Sequence, residues 1–403
     1  MDQRLELLRS LAVENQTKMV LLVMDGLGGL PSESGMTELE KAITPNLDEM
    51  AAHGETGLLE IVDTGITPGS GPGHLALFGY DPLRYRIGRG ILETLGVGAE
   101  VKKGEVCARG NFCTWREGDI IDDRRAGRIP TPDSAEIVKT LSESIKKVED
   151  VDVRFYPGME HRFAVVFSGE GLSEKVADAD PQQEGRPMKW ARAFDPSGEK
   201  TARIANGLIR RVREVLGDQP KASGCLLRGF SGVPDIPAMT DLYSMKAAAV
   251  ASYPMYRGLA RLVGMDVLEA GKTVKELFDT VLAFWDAYDY FYVHVKYTDS
   301  RGEDGDFEAK RKVIEEVDDL LPALTAMRPE VLVVTGDHST PSVMSGHSWH
   351  PSPVLLSGSH LRPDNSPAFG ERACAHGGMG RMKGYKLMGL MLAHAERLAK
   401  FGA

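Results

Sequence analysis

Three acidic residues close three apolar runs rich in β-branched side chains. Asp25 follows KMVLLVM in the stretch 18–29, Asp299 ends YFYVHVKYTD at 290–299, and Asp337 with His338 follows VLVVT in 331–341. His347 lies in GHSWHPSPVLL, and Glu303 stands four residues beyond Asp299. Carboxylates and imidazoles in this mixture suit Mn²⁺ or Zn²⁺, and the carboxylates also accept Mg²⁺. Two cations are expected rather than one. A pair of ions about 4 Å apart can activate a nucleophile and hold a phosphoryl group, which explains several acids sharing one rim despite their repulsion. The expected nucleophile is Ser70 in TPGSGPGHLALFGYDP, 67–82, where Gly69, Gly71 and Gly73 let backbone and hydroxyl approach an ion closely. A serine hydroxyl is a poor nucleophile at neutral pH, so an adjacent divalent cation has to lower its pKa.

The elements that must present these residues follow from periodicity. The three apolar runs read as buried parallel strands, each delivering polar residues at its C-terminal end, where ligands gather in open parallel sheets. Phe307, Ile314, Val317, Leu320 and Leu321 mark a crossover helix between two of them, giving the strand–helix–strand alternation of an α/β fold. A helix is expected to begin near His74, and a short amphipathic one to occupy the first dozen residues. Asp25 is separated from its partners by more than half the chain, so a segment must be inserted. The texture changes between 83 and 241, where short β-like stretches alternate with turns. The expected division is therefore 1–82 with 242–403 against an inserted α+β domain at 83–241. Its one clear helix is 201–216, where Ala205, Leu208, Ile209, Val212 and Val215 keep a 3.6-residue period and the arginines opposite read as a solvated face. His53, His161 and His294 read as structural or surface histidines.

The 403 residues suggest two or three domains, and 48 basic against 58 acidic side chains, a net charge of −10, argue against a broad nucleic-acid surface. No apolar run approaches the roughly 20 residues that span a bilayer. Cys107, Cys113, Cys225 and Cys374 show no CxxC pairing, which fits reduced thiols and a cytoplasmic location.

Taken together, these stretches resemble the alkaline phosphatase superfamily and, within it, the archaeal-type, cofactor-independent phosphoglycerate mutases. The resemblance covers nearly everything after Lys18. It rests on MDGLGG, TPNLDEMAAHGETG at 44–57, the Ser70 loop, TGDHSTP and HSWHPSP, and more narrowly on ARGNFCT, DDRRAGR, HRFAVVFSGEGLS, DADP, YPMYRG and FGERACAHGGMGR. It implies a mostly parallel sheet sandwiched by helices and an isomerase that passes a phosphoryl group from 3-phosphoglycerate to Ser70 and back to the 2-hydroxyl. One ion would be held by Asp25, Ser70, Asp337 and His338, the other by Asp299, Glu303 and His347, with His350 the second choice. Mn²⁺ is the first choice of ion, with Mg²⁺ or Zn²⁺ as alternatives and no 2,3-bisphosphoglycerate. The partner is a small phosphorylated carboxylate. Arg109, Arg124, Arg125, Arg128 and Arg228 would bind its anionic groups. His74 resembles the loop histidine, Lys246 the lysine near the serine, and Asp123 could orient an alcohol as base.

Two stretches depart from the family pattern. Where that pattern reads DxxxH, this chain reads DSRGE, so Glu303 replaces a histidine, adds negative charge and favours harder ions; Asp304 is an alternative donor. The serine is followed by Gly71, Pro72 and Gly73, where the family commonly has acid and small residues. Both lie at the site, which keeps two other readings open: a related phosphotransferase or phosphatase acting on another small alcohol such as homoserine, and a non-catalytic binder of an anionic metabolite. The sequence leaves the number of subunits open.

Overall fold

Runs dominated by apolar side chains at every position, not at alternate ones, form strands covered on both faces. Met19–Met24, Tyr290–Val295 and Val331–Thr335 are such strands, buried along their whole length. They appear side by side in the structure, a computed structural model that describes residues 2–217 and 219–402. The chain divides into two units, Met1–Arg86 with Ile236–Ala403, and Ile87–Asp235. The boundaries fall a few residues inside the expected insertion, because residues 83–86 and 236–241 belong to the first unit.

The first unit is built on an eight-stranded sheet. From edge to edge its strands are Asp266–Val267, Ala247–Val250, Tyr290–Val295, Met19–Met24, Val331–Thr335, Ser352–Gly358, Glu55–Glu60 and Gly380–Lys383. Only Ser352–Gly358 runs against its neighbours. In the centre Met24 lies opposite Val295 and Val23 opposite Thr335, so the chain leaves all three strands on one rim. The crossover helix Phe307–Thr325 buries Ile314, Val317, Leu321 and Leu324 against the sheet. It also buries Asp318, which closes a neighbouring helix. Thr44, at the start of helix Pro45–His53, makes no side-chain cap. Asp318 supplies it instead, accepting from the Leu47 N–H at 2.7 Å, the Asn46 N–H at 3.2 Å and the Asn46 side-chain amide at 3.0 Å.

The second unit is an antiparallel sheet with helices. Its central strand Val106–Trp115 pairs with Arg162–Ser168 on one side and Gly224–Gly232 on the other. Two helices join the expected one: Arg89–Gly96 and Thr131–Ser144, the latter burying Ser134, Val138 and Leu141 at three- and four-residue spacing. The expected helix runs Glu199–Leu216 and buries Leu216 rather than Val215, which is exposed. Four residues from Val212 is the nearest return to the buried stripe. Its arginines are not simply solvated, since Arg210 lies 4.8 Å above Trp190 and Arg213 4.5 Å above Trp115. All four cysteines are buried single thiols, and no helix among the described residues is long and apolar enough to cross a membrane.

Replacing Asp318 with Ala removes three accepted bonds and leaves buried helix donors unpaired, which should cost about 2–4 kcal/mol. Urea unfolding followed by circular dichroism checks this; a loss within about 0.5 kcal/mol, typical of an ordinary surface change, would show that the cap is not Asp318.

Candidate active site

Asp25 and Asp337 are each held by one oxygen and leave the other without a hydrogen bond, whereas both oxygens of Asp299 are engaged, by Lys296 and Thr340. Asp25, fully buried at the end of Met19–Met24, receives on Oδ2 the Tyr256 hydroxyl, His294 Nε2 at 3.2 Å and Lys296 Nζ at 3.1 Å. Its Oδ1 has no hydrogen bond. Burial works against its charge, yet Lys296, His294 and His338 outweigh that and hold Asp25 well below the usual carboxylate range. Asp337 Oδ1 accepts from the Gly26 N–H at 3.2 Å, and its Oδ2 is without a hydrogen bond. His74 Nδ1 approaches that oxygen to 3.1 Å, but it lies 2.9 Å from the Ser70 carbonyl, which takes its proton.

His338 brings these oxygens to one point. Its Nε2 lies 3.2 Å from Asp25 Oδ1, 3.3 Å from Asp337 Oδ2 and 3.4 Å from Ser70 Oγ. On the other side Nδ1 is 3.0 Å from Thr340 Oγ1, and that hydroxyl sits 2.7 Å from Asp299 Oδ1. Asp299 only accepts, so Thr340 donates to it and receives from Nδ1–H, which makes Nε2 the nitrogen that can give up its proton and offer a lone pair. Burial disfavours charge on His338, yet Asp337 and Asp25 outweigh it and push its pKa up to about 9. Two carboxylate oxygens without a hydrogen bond, an imidazole nitrogen and a hydroxyl converge where the surroundings attract positive charge, which the His338 ring carries until a cation takes the place of its Nε2 proton. A divalent cation fits that donor set.

A second group of possible ligands, Asp299, His338 and His347, lies beside the first group, Asp25, Asp337 and His338. His347 Nε2 is 3.5 Å from Asp299 Oδ1 and 3.8 Å from Glu303 Oε1. Glu303 is half-exposed at the lip, four residues from Asp299 on helix Tyr297–Glu303. His350 belongs to neither group and bonds Ser348 instead; Asp304 is exposed and pairs with Arg301.

Ser70 is itself the first residue of helix Ser70–Leu77, four residues before the expected start, so its hydroxyl sits at the positive end of the helix. Gly73 lets that helix touch the Asp337 loop: a Cβ there would meet the Asp337 carbonyl oxygen at 2.5 Å. His74 is fully buried among His294, Tyr256 and Tyr292 with Nδ1 on the Ser70 carbonyl, so it braces the first turn of the serine helix. Lys246 is not brought to the site. It precedes Ala247–Val250, its N–H bonds Asp289, and both residues lie at the strand starts on the opposite rim. The ammonium group at the site belongs to Lys296, bonded to both Asp25 and Asp299, with Asp299 and Asp25 holding its charge against burial. Lys296, Tyr256, His294 and Thr340 were not singled out as site residues by their sequence positions. The one available signal was HVK directly preceding YTD.

In the second unit, the expected arginines split into two kinds. Arg124 makes a two-pronged bond to buried Asp180, at 2.8 and 2.6 Å, and Arg228 lies 3.3 Å from the same carboxylate. Those two are engaged by the DADP stretch. Among the described residues no carboxylate is in ion-pair range of Arg109, Arg125 or Arg128. Arg109 is lowered by burial and by Arg162, Arg228 and Arg89, with Glu93 opposing. His161, nearly fully buried, is pushed down to about 4 by burial and then by Arg162, Arg109, Arg125 and Arg128. Such crowding of like charge suits an anion. Asp123 spends both oxygens on the turn, accepting from the Arg125 and Gly127 N–H groups at 2.7 and 2.6 Å, so it shapes the arginine loop and is not a free base.

The fold and the rim define an α/β enzyme with a serine beside two candidate groups of metal ligands. A family model described as 2,3-bisphosphoglycerate-independent phosphoglycerate mutase matches residues 51–221. A Thermotoga neapolitana protein named as a probable enzyme of that kind is 56% identical over 98% of both chains, and one from Thermosipho africanus, named likewise, is 55% identical over 100% of both. A solved Pyrococcus horikoshii protein superposes with TM-score 0.83 at 28% identity, covering 97% of this chain and 100% of that one. A cofactor-independent phosphoglycerate mutase from Thermoplasma acidophilum gives 0.72 at 30% identity over 94% and 100%. The chain belongs to the 2,3-bisphosphoglycerate-independent phosphoglycerate mutase family.

Two outcomes follow from this geometry. Gly73→Ala should push the serine helix off Asp337 and lower turnover about 100-fold while circular dichroism stays unchanged; wild-type turnover would show that the close approach is dispensable. His161 should titrate near 4 by histidine NMR. Because the unfolded ring takes its proton near 6.5, this group costs stability as pH falls from about 6.5 to 4 and contributes nothing above that window. A midpoint left at the ordinary value would contradict the arginine crowding.

Proposed function

We propose that the chain interconverts 3-phosphoglycerate and 2-phosphoglycerate by passing one phosphoryl group through Ser70, with no added 2,3-bisphosphoglycerate. The observation that carries this is the convergence of Ser70 Oγ, His338 Nε2 and the orphaned oxygens of Asp25 and Asp337 at a helix N-terminus. Asp25, Ser70, Asp337 and His338 would hold one ion, and Asp299, Glu303 and His347 the other. When bound, such ions lower the serine pKa and neutralise the oxygens of the phosphoryl group in flight. The oxygen-rich second position favours Mn²⁺ or Mg²⁺ over Zn²⁺.

Ser70 Oγ loses its proton and forms a bond to phosphorus as the bond from phosphorus to the substrate's C3 oxygen breaks, and that oxygen takes up a proton. The C2 hydroxyl then attacks phosphoserine, releases its own proton and restores Ser70. The helix terminus favours the negative charge that develops on Oγ. Lys296 takes the part expected of Lys246, balancing Asp25 and Asp299. Arg109, Arg125 and Arg128, with His161 kept neutral, bind the substrate's anionic groups, while Arg124 and Arg228 hold the DADP acids in place. Water has to be kept from phosphoserine, or the product is free phosphate. Such an isomerase serves glycolysis and gluconeogenesis in the cytoplasm.

Brief incubation with 3-phosphoglycerate and Mn²⁺ should add one phosphate to the intact mass of the wild type and none to Ser70→Ala, whose turnover should fall roughly 10⁴-fold or more. Isomerisation by the Ala variant would overturn the assignment of Ser70. Release of phosphate without 2-phosphoglycerate would point instead to a hydrolase acting on another small alcohol.

A further inference from the structure

The crossover helix carries a lysine that does not behave as a surface lysine. Lys310, in the first turn of Phe307–Thr325, is fully buried. Its Nζ donates to three backbone carbonyls: Gly26 at 2.9 Å, Gly28 at 3.1 Å and Thr340 at 2.8 Å. All three ammonium protons are spent on main-chain oxygens of two loops. One loop follows Asp25 and the other follows Asp337 and His338. Carbonyl oxygens crowded this closely repel one another, and a buried charge persists only where its hydrogen bonds are complete.

The two loops are joined around that charge. The Thr340 N–H bonds the Gly26 and Gly28 carbonyls at 3.2 and 3.0 Å. The Gly26 N–H holds Asp337, and the Thr340 hydroxyl links His338 to Asp299. Gly26 sits at φ +64°, and a Cβ there would press on Thr340 and on Asp299 Oδ1 at 2.9 Å. A shift of the Gly26–Thr340 contact therefore moves acids of both ligand groups together. Lys310 touches none of those acids itself.

We propose that Lys310 is a positioning residue that fixes the first cation position, and through Thr340 its placement against Asp299 of the second, by clamping the Asp25 loop to the His338 loop. This rests on the two-cation reading above. Loss of an outer-shell partner of this kind typically costs 10–100-fold in metal affinity.

The experiment compares wild type, Lys310→Met and Lys310→Gln by calorimetric titration with Mn²⁺ and by steady-state kinetics. Lys310→Met should remain folded by circular dichroism, bind Mn²⁺ about 10–100-fold more weakly and lose kcat, with KM for 3-phosphoglycerate changed by less than about threefold. Lys310→Gln, which keeps part of the donor set, should fall between. A folded Met variant with wild-type Mn²⁺ affinity would overturn the proposal, and so would a loss carried by KM. If neither variant folds, Lys310 serves folding as a whole and the positioning role is refuted. Failure of the wild type itself to bind Mn²⁺ would instead sink the two-cation reading.

Discussion

Three carboxylates, those of Asp25, Asp299 and Asp337, occupy one end of a sheet with almost no access to water. Charges of one sign in such surroundings repel far more strongly than they would in solvent, so the rim survives only through compensating positive charge and directed hydrogen bonds. The chain supplies part of that compensation. Lys296 bridges two of the acids, Lys310 neutralises the carbonyls beneath them, and Tyr256 and His294 take up one oxygen of Asp25. What it leaves uncompensated is directional: Asp25 Oδ1 and Asp337 Oδ2 face the same imidazole nitrogen as Ser70. The scaffold thus spends its donors on the outer oxygens and reserves the inner ones.

The strands that carry the acids were readable because burial on both faces demands an unbroken apolar run, and few other elements produce one. Ser70, Asp25, Asp299, Asp337, His338 and His347 were readable for a related reason: residues that end such strands, or sit in a glycine-rich loop, have little else to do. The supporting shell was not. Lys310 falls on a helix rich in Lys and Glu, where a lysine normally points to water, and only the three-dimensional arrangement of carbonyls gives it a buried task. His294 lies inside a strand and looks like a packing residue until Asp25 is placed beside it. Lys246 and Lys296 flank the sheet from opposite ends, and sequence pattern alone does not tell which rim a lysine reaches. The boundaries of the insertion were also blurred, since Ile236–Ala238 have no periodicity of their own.

In the second unit, the arginines show how one residue type divides its labour. Arg124 and Arg228 converge on Asp180, a buried acid that would be costly without them. Arg109 stands half-buried among charges of its own sign, Arg125 and Arg128 add theirs from exposed positions, and burial together with these arginines holds His161 neutral. Counting arginines in DDRRAGR could not separate the two sets, because the partner acid lies more than fifty residues away in the chain.

The order of the strands has a consequence for how the chain is made. Met19–Met24, the central strand, leaves the ribosome well before both of its neighbours, Tyr290–Val295 and Val331–Thr335. The contiguous second unit, Ile87–Asp235, can complete its own hydrogen bonds in the meantime. Until the late strands arrive, the hydrophobic segment 19–24 is an unpaired edge with an acid at its tip, the part of the newborn protein most in need of shelter from its neighbours.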